Sequence, residues 1–262
     1  MEIDIFQIDA FTSELFKGNP ACVMPLDNWL PDDLLLKIAK ENNVSETAFF
    51  IKEGEGFYLR WFTPEIEMDL CGHATLATAY CLKNHLNYKK NQVIFDSMSG
   101  ELIVKFDGDY IQMDFPHRKP QNSKLPKNIM DSLSIKPNKV LKERDYVLVY
   151  DNEEQIKNIK IDKELFDKTN LDPGGVVITS KGTKSDFVSR YFVPQCSFFE
   201  DPVTGSTHCS LVPYWSEVLK KTKLKSIQLS ERGGEMFCED LGNRVIINGK
   251  AKTYFKGKLL YN

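Results

Sequence analysis

Arg60-Trp61-Phe62-Thr63-Pro64, followed by Asp69-Leu70-Cys71-Gly72-His73-Ala74-Thr75, has a partner later in the chain. The second copy runs Arg190-Tyr191-Phe192-Val193-Pro194, then Glu200-Asp201-Pro202-Val203-Thr204-Gly205-Ser206. Each copy reads as an aromatic strand ending in proline, a loop carrying an acid, and a glycine that opens a mainly apolar helix. A spacing of roughly 130 residues is too long for a solenoid repeat. It predicts an α+β protein of two similar domains, each a sheet wrapped around one buried helix. The polar stretch Pro116 to Lys127, with prolines at 116, 120 and 126, reads as the linker. That gives domains at 1–117 and 118–262, with the last strand able to pack back on the first domain.

Strand signals dominate both halves. Ile3 to Ile8 alternates as a half-buried strand does. Leu102 to Phe106, Asp107-Gly108 and Tyr110 to Met113 predict a hairpin with an Asp-Gly turn. Val245 to Ile247, Asn248-Gly249 and Ala251 to Tyr254 predict another. Pro31 with Asp32 and Asp33 opens a helix that carries Leu34, Leu35, Ile38 and Ala39.

Composition bounds the function. The 262 residues are 42% hydrophobic and 27% charged, as in globular proteins. A net charge of −3 without a basic cluster argues against nucleic acid. No apolar run reaches the ~18 residues that suggest a membrane helix. The N-terminus lacks the basic and apolar regions of a signal peptide, so it reads as an opening strand. The six cysteines form no CxxC pair and the four histidines are scattered. Disulfides and structural zinc are therefore not expected, and a reducing cytoplasm fits. P-loop, GxGxxG, GxSxG and HExxH patterns are missing, which removes support from the common nucleotide and metal-hydrolase readings.

Three segments carry chemistry. In Asn43 to Ile51, strand alternation puts Val44, Glu46, Ala48 and Phe50 on one face. A carboxylate among apolar neighbours sheds hydration and suits a proton shuttle. The same glutamate also reads as a solvated strand start. In Leu70 to Leu76, Gly72 permits a tight turn, and the helix start offers N–H groups to a carboxylate or an enolate. His73 reads as a neutral donor or relay, or as an ordinary first-turn residue. Cys71 reads as a thiol base or as a small packed side chain. In Asp201 to Thr207, Asp201 reads as an orienting carboxylate, and Gly205 and Ser206 as donors; a plain helix cap is the alternative. Two such helix starts facing one cleft suit a small carboxylate or amino-acid-like substrate.

Four blocks at these positions resemble the PhzF-like family, named for the phenazine-biosynthesis isomerase. They are Asp9-Ala10-Phe11-Thr12 with Gly18-Asn19-Pro20-Ala21; Val44-Ser45-Glu46-Thr47-Ala48; Phe62-Thr63-Pro64 with Cys71-Gly72-His73-Ala74-Thr75; and Glu200 to Ser206. The resemblance implies two pseudo-two-fold-related domains of mixed, mostly antiparallel sheet, as in diaminopimelate epimerase. It also implies a cofactor-free isomerase that uses no metal. In the phenazine enzyme a glutamate shuttles a proton on an amino-hydroxy cyclohexadiene carboxylate. That role carries over to Glu46, with His73 and Asp201 assisting and Gly72, Gly205 and Ser206 donating to substrate.

Two departures stand out. Cys71 occupies the position of a base in the related epimerases, but no cysteine stands in the equivalent loop of the second block. An epimerase or racemase using Cys71 with Glu46 is thus the alternative enzyme reading. A ligand-binding protein without turnover is the alternative outside enzymes. Pro213 falls inside the second helix and predicts a break or kink. A monomer and a homodimer both fit the chain.

Overall fold

The computed structural model describes residues 2–171, 174–196 and 198–261, so Met1 of the expected opening strand lies outside them. The chain divides into two compact units, 1–114 with 248–262, and 115–247.

The first unit begins with β1 (Glu2–Ala10), β2 (Asn19–Leu26), α1 (Asp32–Asn42), β3 (Glu46–Glu53), β4 (Gly56–Phe62) and β5 (Glu67–Met68). It continues with α2 (Gly72–His85), β6 (Gln92–Asp96), β7 (Leu102–Asp107) and β8 (Tyr110–Pro116). Then come β9 (Gln121–Asn122), α3 (Lys127–Ser132), β10 (Lys139–Lys142), β11 (Tyr146–Val149), α4 (Glu153–Asn158) and α5 (Lys163–Phe166). The chain continues through β12 (Val176–Lys181), β13 (Phe187–Phe192), β14 (Glu200–Asp201), α6 (His208–Leu219), β15 (Lys223–Gln228), β16 (Gly234–Asp240) and β17 (Arg244–Gly249). The last strand, β18 (Ala251–Leu260), returns to pair antiparallel with β1. The stretch read as a linker thus contains β9, which pairs with β10. No helix among the described residues is long and apolar enough to cross a membrane.

Both units repeat one pairing order. From β1 the successive pairs β1–β2, β2–β3, β3–β4, β4–β6 and β6–β7 are antiparallel, parallel, antiparallel, parallel and antiparallel. From β10 the pairs β10–β11, β11–β12, β12–β13, β13–β15 and β15–β16 follow the same alternation. Each unit also hangs a two-residue strand on its aromatic strand, β5 on β4 and β14 on β13. Matching ion pairs lock these strands. Arg60 donates twice to Glu67, at 2.6 and 2.7 Å, and Arg190 donates twice to Glu200, at 2.7 Å each. Each guanidinium also lies over a phenylalanine two residues on, Phe62 at 5.1 Å and Phe192 at 5.0 Å. Bidentate pairing and stacking are what arginine does better than lysine.

Small side chains explain how α2 sits inside its sheet. His73 to Ala79 are all buried, and Ala74, Leu76, Ala77 and Ala79 have no exposure. Alanines and threonines let strands approach a helix on several sides, and α2 touches β1, β2, β3 and β18. Thr75 and Thr78 spend their hydroxyls on the helix itself, donating to Cys71 O at 2.6 Å and Ala74 O at 2.8 Å.

The first hairpin forms as its pattern predicts, with Asp107 opposite Tyr110 and Gly108 at φ 57°. The second does not turn at Asn248-Gly249. Both residues belong to β17, and only Lys250 separates it from β18. This glycine is required by packing: a Cβ there would lie 2.6 Å from the Phe11 ring and 2.8 Å from Leu76. Phe11 is itself buried at φ 62°, so that corner is tightly fitted.

Pro213 neither breaks α6 nor ends it; the helix runs unbroken from His208 to Leu219. A proline at this position deprives the Cys209 carbonyl of its helical partner. The Arg118 N–H takes that carbonyl at 2.9 Å, which offsets the loss.

Candidate functional site

The chain enters β3 through a left-handed residue, Asn43 at φ 48°, that ends α1. Glu46 then opens β3, beside Ala21 of the parallel strand β2. Its side chain is only 12% exposed. Cys71 precedes α2 in extended conformation, and Gly72 and His73 are its first residues. The structure therefore brings Glu46, Cys71, Gly72 and His73 together.

His73 is the hub of this group. Its Nε2 lies 3.0 Å from Glu46 Oε2. Its Nδ1 lies 3.3 Å from Asn19 Nδ2 and 3.5 Å from Cys71 Sγ. The Glu46–His73 approach is close but is not at a hydrogen-bonding angle. Both Oε2 and Nε2 are buried with no hydrogen-bond partner among the described residues. Such atoms are expensive in an interior and concentrate where a protein keeps polarity for use.

Burial works against charge on the His73 ring, but its interactions with Cys71 and Glu46 push its pKa above the ordinary imidazole range. Burial pushes the Cys71 thiol up, and Glu46 adds to the effect. Cys71 is therefore a thiol at neutral pH, and Glu46 is the partner that sustains the charge preference of His73.

The ligand atoms of Glu46, Cys71 and His73 lie within 4.8 Å of one another, which raises the question of a metal. The carboxylate faces Nε2 and the thiol faces Nδ1, so the three groups do not converge on one point. Tetrahedral zinc needs all its ligands at roughly 2.0–2.3 Å from one centre. The donor set as arranged suits proton exchange better.

The second unit holds Asp201, Gly205 and Ser206. Asp201 ends β14, and the Thr204 hydroxyl donates to its Oδ2. The helix was expected to open at Gly205, but α6 begins at His208. The reason lies at Thr204, whose carbonyl accepts from the Thr207 hydroxyl at 2.9 Å and pairs with His208 Nδ1 at 2.9 Å. With that carbonyl engaged, the His208 N–H bonds one residue later, to Gly205 O at 3.0 Å, and the first turn winds tightly. His208 is fully buried, its Nε2 is 2.9 Å from Ser226 Oγ, and burial holds its pKa down at about 4.

Strand register aligns the two units residue by residue. Phe62 lies opposite Thr47, and Phe192 lies opposite Val176. Glu46 therefore corresponds to Gly175. Aligning Gly72 with Gly205 puts Cys71 against Thr204 and His73 against Ser206.

Sequence reasoning did not single out Asn19 or Gln228. Asn19 is fully buried beside His73. Its signal was the preceding glycine: Gly18 has φ +69°, and a Cβ there would meet Ala10 O at 2.1 Å. Gln228 has no local signal, because its partners Asp201 and Thr204 lie 27 and 24 residues away.

Comparison with known proteins agrees with the family resemblance of the four blocks. A family model described as "Phenazine biosynthesis-like protein" matches residues 8–257. A Pseudomonas aeruginosa protein named an uncharacterized isomerase is 46% identical over 259 residues, covering 99% of each chain. The crystal structure of a PhzF-family phenazine biosynthesis protein from Enterococcus faecalis superposes with a TM-score of 0.95 at 44% identity, covering 100% of both chains. A hydroxyproline epimerase from Agrobacterium vitis shares the fold alone, with a TM-score of 0.60 at 8% identity over 98% of this chain and 92% of that one. On a match that spans nearly its whole length, the chain belongs to the family of phenazine biosynthesis-like proteins.

Proposed function

We propose that this protein is an isomerase that moves a proton on a small carboxylate or amino-acid-like substrate, with Glu46 as the acid–base group. The observation that carries the reading is the buried Glu46–His73 contact, 3.0 Å long, whose two facing atoms have no hydrogen-bond partner among the described residues. Glu46 as carboxylate removes a proton next to an activating group of the substrate. The resulting acid returns it at another position of the same molecule, so no net proton or electron is consumed. His73 is the adjoining donor, and Gly72 contributes the N–H groups of a helix start. Asp201, Gly205 and Ser206 hold the substrate. The reaction as written needs no metal or organic cofactor, and activity surviving exhaustive chelation is the expected result.

The names of relatives support the class: a protein 46% identical over nearly the full chain is called an isomerase. A second reading, an epimerase or racemase pairing Cys71 with Glu46, draws on the 3.5 Å approach of Cys71 Sγ to His73. Against it, the Cys71 thiol is held up by burial, and Thr204 stands where a second thiol would be needed.

The test is solvent deuterium wash-in across a panel of small amino and hydroxy acids. Wash-in reports proton abstraction even where no net product accumulates. Glu46→Gln keeps the shape of the side chain but cannot exchange a proton. Its wash-in rate is expected to fall roughly 10²–10⁴-fold. Equal rates in wild type and variant remove Glu46 from the mechanism.

A further inference from the structure

The turn that leads into α6 is held from a strand that carries none of the candidate site residues. Gln228, the last residue of β15, has no solvent exposure. Its Oε1 accepts the Thr204 N–H at 2.9 Å. Its Nε2 donates to Asp201 O at 2.8 Å and to Thr204 Oγ1 at 3.2 Å. The two backbone partners fix the amide's orientation, because a backbone N–H only donates and a carbonyl only accepts.

That orientation determines where the Thr204 proton goes. Thr204 Oγ1 already receives an N–H from Gln228, so its own O–H is directed to its other neighbour, Asp201 Oδ2. The result is a directed chain from amide to hydroxyl to carboxylate. The remaining polar atom of Thr204, its carbonyl, is engaged by Thr207 and His208. Every polar group of Thr204 is thus assigned. The Thr204 hydroxyl proton points at Asp201.

We infer that Gln228 is a positioning residue for the Asp201 carboxylate, acting through the Thr204 hydroxyl. The inference rests on the proposed substrate-holding role of Asp201. All three side-chain hydrogen bonds of Gln228 among the described residues go to Asp201 and Thr204. A residue needed only to fill β15 would be apolar, since a buried amide is tolerated only when its donors and acceptors are matched.

Gln228→Glu is the discriminating variant. It keeps an acceptor for the Thr204 N–H but, as a carboxylate, cannot donate. The Thr204 hydroxyl is then expected to turn to the new carboxylate and leave Asp201. A crystal structure of the variant at neutral pH reads this directly, and an unchanged Thr204–Asp201 contact overturns the inference. Wash-in on the panel compound most dependent on Glu46 is expected to fall more than about tenfold and to recover on acidification, as the introduced carboxyl regains a proton to donate. The unfolding midpoint of the variant at neutral pH is expected to stay near that of wild type, and a fall in wash-in that only tracks lost folding overturns the inference. Asp201→Asn separates the two ideas. If it lowers wash-in while Gln228→Glu does not, the positioning role is wrong. If Asp201→Asn keeps the full rate, the substrate-holding reading of Asp201 is wrong, and the variant crystal structure still decides whether Gln228 orients Thr204.

Discussion

The two helix starts of this protein differ in chemistry while sharing a scaffold. In the first unit Glu46, Cys71 and His73 meet in a buried group. In the second the corresponding residues are Gly175, Thr204 and Ser206, none of which titrates near neutral pH. The pairing order of strands and the arginine–glutamate clamps are nevertheless the same. A repeated frame thus carries titratable side chains at these positions in one copy and neutral groups in the other. The difference teaches that symmetry of fold does not extend to symmetry of side-chain chemistry. In the proposed reaction a single acid–base group serves two positions of one substrate, so no equivalent is needed in the second unit.

Of the substitutions that compare the two starts, loss of the first start's imidazole should produce the largest effect. His73→Ala removes the partner of Glu46 and is expected to lower kcat by about 10²-fold, within the usual worth of an acid–base group. Ser206→Ala should instead raise KM and leave kcat nearly intact, the pattern of lost uniform binding. Steady-state kinetics on a substrate from the deuterium panel measures both. Similar losses of kcat in the two variants would break the asymmetry.

The histidines of the two starts should also oppose each other in stability. His208 has its folded pKa lowered to about 4 from 6.5 by burial. The unfolded chain therefore binds its proton more readily, and the stabilisation is present above pH 6.5 and lost as pH falls towards 4. The loss amounts to about 3 kcal/mol at most, at roughly 1.4 kcal/mol per pH unit. His73 has the opposite sign: its contribution is present below the ordinary imidazole range and is lost as pH rises through its raised value. Urea unfolding as a function of pH should show the acid-side slope, and His208→Gln should flatten it. A slope unchanged by that substitution would assign it to other groups.

Gly175 sharpens the comparison, because it shows why the second unit has no counterpart of Glu46. A Cβ at this position would lie 2.6 Å from Phe192 O and 2.7 Å from Tyr191 Oη. Its N–H donates to the buried Asp145 at 2.9 Å, and Tyr191 Oη donates to the same oxygen at 2.9 Å. Gly175→Ala is expected to cost about 1–3 kcal/mol through overpacking. The shift in denaturation midpoint measures it, and an unchanged midpoint would show that the corner yields easily. The smallest effect is expected from Cys71→Ala, which should keep turnover within about tenfold of wild type. A loss of several orders of magnitude with the fold intact would favour the thiol–carboxylate mechanism.

The repeat, the two central helices and the hydrophobic strands were readable from sequence because their signals are local. Arg60 and Arg190 stand at the same place in two copies of one pattern, and Pro31 with two aspartates marks a helix start without outside information. Glu46, Cys71 and His73 were likewise nominated by their neighbours. Asn248-Gly249 shows the limit of local reading. The dipeptide carries a turn signal, but its glycine is demanded by Phe11 and Leu76, which come from distant parts of the chain.

Pro213 and Gln228 mark the same limit from opposite sides. The proline's local penalty is real, but it is offset by an N–H from Arg118, 91 residues before the carbonyl it reaches. The glutamine has no local penalty or signal, yet three of its hydrogen bonds hold the turn before α6. Sequence by itself determined the residue types of the candidate chemistry and the duplicated frame, since periodicity and turn preferences act over a few residues. Only tertiary structure decided that Glu46 faces His73 Nε2, that the second helix starts three residues late, and that Gly175 excludes a second carboxylate. Each of those depends on atoms brought within about 3 Å by strand pairing, and register is set by the fold as a whole.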